Sequence, residues 1–332
     1  MIIDPSIMAL FISSLLISFI VLYAALYGIQ ILRKWDIRSG SELQLRLERK
    51  TYLISTFLNY TLGFQIISLF FYLFVADHLH TFLVGAMCAA GSLYANSYGY
   101  PTLILKLVNF LLVGIWLILN YTDNRAHDYP LIKTKNLLLL VIAPMLLIET
   151  FAQGSYFLQL KPNIITSCCG SLFSAGSQSI RSDVFALPVN AMKAIFFLSM
   201  AFTGASALRF YFKGTGAYLF SGFSAFTFVV SILSIFSFIS LYIYEMPSHH
   251  CPFCILQEEY GYIGYPLYLT LFGGVISGVG AGLLTAFKNI NSLTDILPGI
   301  QKRLTLFSLL LFMAFFVLVL YKMTFTTFIL GG

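Results

Sequence analysis

The sequence predicts an all-α, polytopic integral membrane helical bundle of about eight transmembrane helices plus one outer re-entrant or interfacial segment. Residues 1–332 would form a single membrane domain. Three observations carry this reading. Of the 332 residues 59% are hydrophobic and only 10% charged, and the mean hydropathy is +0.87, which suits a bilayer rather than water as the solvent. A spanning helix needs about 20 mainly apolar residues, and eight such stretches alternate with short polar connections. That leaves no length for a soluble catalytic domain.

The first stretch, 7–32, follows a start that holds Asp4 and no basic residue. It lacks the basic opening and small-residue cleavage site of a secretory signal peptide and is expected to stay as the first helix. Further spans are expected at 51–76, 102–121, 136–158, 185–208, 217–244, 264–287 and 304–328. The loop after the first holds Arg33, Lys34, Arg38, Arg46, Arg49 and Lys50; after the third, Arg125, Lys133 and Lys135; after the fifth, Arg209 and Lys213; after the seventh, Lys288, Lys302 and Arg303. Together these are 14 of the 19 basic residues, so these loops should face the cytoplasm and both termini the other side. The net charge of +6 then follows from topology and contact with anionic membrane lipid, with no nucleic acid involved.

Residues 82–100 break the pattern. They begin apolar but run into Gly91, Asn96 and Gly99 before Pro101, too short and interrupted to span alone. Spanning would also invert every later basic loop, so they are expected as the outer re-entrant or interfacial segment, with protein or water satisfying the backbone. Gly274, Gly278 and Gly282 make a small-xxx-small row that predicts close helix packing. The sequence carries no internal repeat, heptad run, or Walker or dinucleotide motif.

In this topology all five cysteines fall outside the spans and on the non-cytoplasmic side: Cys88, the vicinal pair Cys168 and Cys169, and Cys251 and Cys254. His78, His80, His249 and His250 lie there too. Cysteine is a common buried small hydrophobe, so its absence from the spans points to use rather than packing. The strongest local signal is His249-His250-Cys251-Pro252-Phe253-Cys254. A helix starting there would place Cys251 at the cap and Pro252 at the first helical position, and the helix dipole would stabilise a thiolate on Cys251 as the attacking thiol, with Cys254 resolving. A structural disulfide is the plain alternative. Cys168 and Cys169 can form a strained ring, partner other thiols, or bind a soft metal, and one of them could instead pair with Cys88.

Cys251-x-x-Cys254-x-x-Gln257 at the outer mouth of a membrane helix, with a second outer cysteine pair, resembles the disulfide-generating membrane oxidoreductases of the DsbB and vitamin K epoxide reductase type. The resemblance covers about 20 residues around Cys251. It implies catalytic roles for Cys251, Cys254, Cys168 and Cys169, electron transfer from a periplasmic thiol-redox partner to quinone, and a bacterial inner-membrane location. Glu258 stands where the DsbB pattern has arginine, and the chain has about twice the expected number of helices.

A quinone site would draw on Gln257, Tyr260 and Glu149. Tyr260, Tyr262, Tyr265 and Tyr268 follow the motif, although aromatic belts are general in membrane proteins. Glu149 lies inside the fourth span near Gln153, where an ionisable residue suggests a proton relay or a polar pair, with Lys193 of the next helix as the expected partner. The competing class is soft-metal handling, copper or zinc, by His249, His250, Cys251, Cys254, Cys88, His78 and His80. Transmembrane pumping would need polar ligands within the spans, which look few. A third class is a membrane subunit of a respiratory complex; an intrinsic haem would need histidines within spans, and there are none.

Overall fold

The computed structural model describes residues 4–37, 39–161, 188–247 and 249–326. Among them every regular element is helical, and eight helices are long and apolar enough to cross a membrane. The chain is an all-α polytopic membrane bundle. The long elements are α1 (Pro5–Lys34), α2 (Glu42–His78), α4 (Gly99–Asp123), α5 (Ile132–Leu158), α6 (Val189–Lys213), α7 (Ala217–Ser234), α9 (Gly264–Leu284) and α10 (Leu297–Phe325). Two short helices complete the set: α3 (Ala89–Tyr94) and α8 (Ser240–Tyr244), the latter joined to α7 by a π-helical turn, Ile235–Ile239.

Local chemistry explains the ends. The Asp4 side chain accepts from Ser6 N at 2.9 Å and Pro5 opens α1, so the cap supplies an acceptor where the first turn has an unpaired donor. Gly214 closes α6 in the left-handed conformation, φ 68°, which only glycine adopts without strain. α2 begins at Glu42 rather than near residue 51. Its first turns carry an exposed Glu42–Arg46 ion pair at 2.5 Å and a Gln44–Glu48 hydrogen bond at 2.9 Å, so the helix continues beyond its apolar stretch. Hydropathy marks where a helix turns polar, not where its hydrogen bonding stops. For the same reason α10 starts at Leu297 rather than at 304.

The packing divides into two compact units. Unit 1 comprises Met1–Val75, Ala95–Pro162 and Phe287–Leu297. In it α1 and α4 both pack on α5, around a core that includes Val21, Leu62, Val113, Trp116, Ile142 and Leu146. Phe19, Phe57 and Phe151 point outwards, which costs nothing where the surroundings are lipid.

Unit 2 comprises Ala76–Tyr94, Asn163–Ala286 and Pro298–Gly332. There α7 packs on α6 and α9, and the expected glycine row lies in the contact. A Cβ on Gly278 would overlap Ser224 and meet Ser308 Oγ at 3.0 Å, and one on Gly282 would overlap Ser221. We expect Gly278→Ala to destabilise the detergent-solubilised protein by about 1–3 kcal/mol, the usual cost of overpacking. Thermal unfolding measures this, and an unchanged midpoint would contradict the close packing.

Between α2 and α4 the chain forms a 3-10 turn, Leu79–Phe82, and then α3. With six residues, about 9 Å, α3 cannot cross a bilayer, as expected for the interrupted segment. Its residues Ala89 to Leu93 are buried.

Candidate functional site

The cysteine site is built in unit 2. Cys88 immediately precedes α3, and its carbonyl accepts from Gly91 N and Ser92 N. Asp77 Oδ1 accepts from Ala89 N at 3.2 Å, which holds the start of α3 and places Cys88. Cys251 and Cys254 lie on the connection after α8. The three sulfurs lie within 4.8 Å of one another, all buried, and Cys88 Sγ is 3.6 Å from Cys251 Sγ. A disulfide would require about 2.05 Å.

Aromatic hydroxyls hold the connection in shape. Tyr244 OH donates to Cys251 O, and Tyr268 OH donates to Pro252 O at 2.7 Å. Gln257 Nε2 donates to Met87 O at 2.9 Å, tying the Cys-x-x-Cys loop to the residue beside Cys88. The Tyr244 ring stands edge-on to His249 with centroids 4.4 Å apart, and Tyr260 packs on it at 4.7 Å. Burial raises the Tyr260 hydroxyl above its usual pKa, which keeps it protonated.

The histidines behave differently from one another. His249 Nε2 is buried with no hydrogen-bond partner. Burial lowers its pKa, against the field of Cys88 and with that of His250, so the ring is neutral near pH 7 and offers a lone pair. His250 Nδ1 donates to Phe236 O at 2.9 Å. His78 packs on Phe82, and His80 bonds to Asp77 O. No imidazole nitrogen joins the three sulfurs within 4.8 Å, so the seven-residue metal set expected from sequence assembles only as Cys88, Cys251 and Cys254. Cys168 and Cys169 lie outside the described residues.

The expected helix start at Cys251 is not formed. Cys254–Leu256 makes a single 3-10 turn, Gln257 is extended, and α9 begins only at Gly264. Two residues with positive φ, Gly261 and Tyr262, separate the motif from α9, and the Cys251 and Pro252 carbonyls are taken by tyrosines rather than by helical amides. Both thiols are buried as well, Cys251 at 1% and Cys254 at 5% exposure. Neither thiol has the exposed, dipole-stabilised setting of an attacking cysteine.

Glu149 belongs to a separate cluster in unit 1. Its Oε1 accepts from Lys106 Nζ at 2.7 Å and Gln65 Nε2 at 2.9 Å; its Oε2 accepts from Asn109 Nδ2 at 2.6 Å and Gln65 Nε2 at 3.0 Å. Lys106 also donates to Ser68 Oγ at 2.9 Å. The expected partner, Lys193, instead donates to Tyr242 OH at 2.7 Å. Lys106 and Asn109 stand three residues apart on one face of α4 and both reach the Glu149 carboxylate; a lysine inside an apolar span signals a buried partner in the sequence without naming it. A second buried pair joins Lys135 to Asp123 at 2.6 Å, with Lys135 also donating to Asn120 at 2.9 Å. Lys135 therefore is not the exposed loop charge that the topology count takes it for. Both pairs surround their charges with hydrogen bonds, which low-dielectric burial requires.

Among the described residues, geometry thus defines an all-helical membrane protein with a shielded three-thiol centre and two internal ion pairs. Comparison of the chain with family models, with curated proteins and with solved structures finds no match.

Proposed function

We propose that this membrane protein captures a soft metal ion, copper(I) or zinc, at Cys88, Cys251 and Cys254. The observation that carries the reading is the convergence of three buried sulfurs within 4.8 Å. Thiolates bound to zinc at about 2.3 Å sit roughly 3.8 Å apart around a tetrahedral ion, so modest sulfur movements complete such a site. Thiolate softness selects these metals over magnesium or calcium. Neutral His249 is the candidate fourth ligand, and Tyr244, Tyr268, Gln257 and Asp77 orient the backbone that carries the thiols, as outer-shell groups do in metal sites. The distribution of basic residues supports a centre on the non-cytoplasmic side of the membrane.

A second reading, a thiol-disulfide relay, is favoured by the 3.6 Å Cys88–Cys251 approach. Closing that gap to a disulfide removes two electrons and two protons, which a quinone would accept as it becomes a quinol. The burial of Cys251 and Cys254 weighs against direct attack on a periplasmic thiol-redox protein, and so places this reading second. A role beside a respiratory partner has no supporting feature in the site.

Metal analysis of anaerobically purified full-length protein, with peptide-resolved thiol alkylation before and after reduction, separates the two. We expect bound copper or zinc, and Cys88, Cys251 and Cys254 protected from alkylation until a chelator is added. Metal-free protein with a reducible Cys88–Cys251 link would replace the first reading by the second. Metal-free protein with three alkylatable thiols and no such link would remove both.

A further inference from the structure

The span formed by α7, the π turn and α8 carries hydroxyl side chains at a near-constant step: Ser221, Ser224, Thr227, Ser231, Ser234, Ser237 and Ser240. From Ser221 to Ser240 they cover about 28 Å of helix rise, close to the roughly 30 Å of a hydrocarbon core. The row changes character along its length. Ser224 donates to Phe220 O at 2.9 Å, while Thr227 Oγ1 meets Thr203 Oγ1 at 2.7 Å and Ser199 O at 3.1 Å. The next four differ. Ser231, Ser234, Ser237 and Ser240 are at most 1% exposed, and none of their hydroxyls has a hydrogen-bond partner.

A serine inside a helix ordinarily returns its proton to a carbonyl one turn back, as Ser224 does. Four consecutive failures to do so, in the most buried span among the described residues, call for another partner. The π turn Ile235–Ile239 falls among these four, and such a turn widens the backbone ladder where water can enter. Side chains three residues apart have Cβ atoms about 5–6 Å apart, a gap that one water bonded at about 2.8 Å to each hydroxyl fills.

We propose that Ser231, Ser234, Ser237 and Ser240 bind a file of water that, continued by the hydroxyls of Thr227 and Thr203, conducts protons through unit 2. At each hop one O–H bond breaks and one forms at the next oxygen, so a proton entering at one end releases another at the far end and the hydroxyls are restored. Hydroxyls and water donate and accept alike, whereas a path for a hard metal cation calls for carboxylate or carbonyl oxygens, and this row carries no carboxylate. The inference is independent of the metal reading and corrects the impression from sequence that the spans hold few polar groups.

The test uses the full-length protein in phosphatidylcholine–phosphatidylglycerol liposomes with a pH dye inside and a valinomycin-set potassium potential. Wild type should change the lumenal pH faster than protein-free liposomes do. Ser234→Ala with Ser237→Ala, which adds no bulk, should lose that flux while retaining the wild-type cysteine-site metal and thiol content. Ser234→Thr with Ser237→Thr, which keeps both hydroxyls, should conduct. A silent wild type, an Ala pair that conducts as wild type does, or sodium flux without a pH change would overturn the proposal. None of these outcomes bears on metal content, so failure of the file and failure of the metal centre are read separately.

Discussion

Lys106→Met is expected to remove about 3–5 kcal/mol of stability, because it leaves the Glu149 carboxylate buried without its counter-charge. Lys106 and Glu149 side chains are 0% and 1% exposed, so solvent cannot substitute for the missing partner. Glu149→Gln should be damaging in the same direction, since it strands the ammonium, although Ser68 still accepts from it and the Tyr72 ring lies 5.4 Å beneath. Lys106→Met combined with Glu149→Gln should recover much of the loss, because no net charge is then left in the core. Thermal unfolding of the two single variants, the double variant and wild type in one detergent forms the cycle that measures the coupling. Additive losses would mean that the two charges are not coupled. A double variant that folds but has lost function would instead return Glu149 to the proton role its position suggests.

The second large effect belongs to the thiols. Replacing Cys88, Cys251 or Cys254 singly with Ser should weaken metal binding by more than about 100-fold, the upper end of what loss of an outer-shell partner costs, because a hard hydroxyl replaces a soft ligand. Cys88→Ser is the most informative of the three. A Cys-x-x-Cys pair acting alone would keep its affinity without Cys88, whereas a three-sulfur centre would not. Competition titration with a chromophoric chelator gives the affinities. Equal binding in Cys88→Ser and wild type would remove Cys88 from the centre and leave a two-cysteine site of different chemistry.

The membrane class and the eight spans were legible without coordinates, and the Cys251–Cys254 motif was conspicuous. Bilayer thickness imposes a minimum apolar run on each span, and an apolar surround makes every charge or thiol conspicuous in the sequence. Glu149 stood out for that reason, and so did the glycine row, whose small-xxx-small period is the period of the helix surface.

The partners of these groups were not legible. Glu149 lies 43 residues from Lys106, and Cys88 lies 163 from Cys251; nothing in local sequence ranks Lys106 above Lys193, or Cys88 above either vicinal cysteine. The conformation of the motif also departs from its local propensity. Pro252 favours a helix start by local propensity, but hydroxyls brought in by Tyr244 and Tyr268 bind the carbonyls on that stretch, and packing overrode the propensity. The row of serines in α7 to α8 could be counted in the sequence, yet only burial and hydrogen bonding separated the three hydroxyls below from the four above. By itself the sequence determined which segments must be helices and which residues are costly to bury, because both follow from the solvent and from the period of one helix. The tertiary structure decided which of those costly groups meet, because that depends on contacts between helices far apart in the chain.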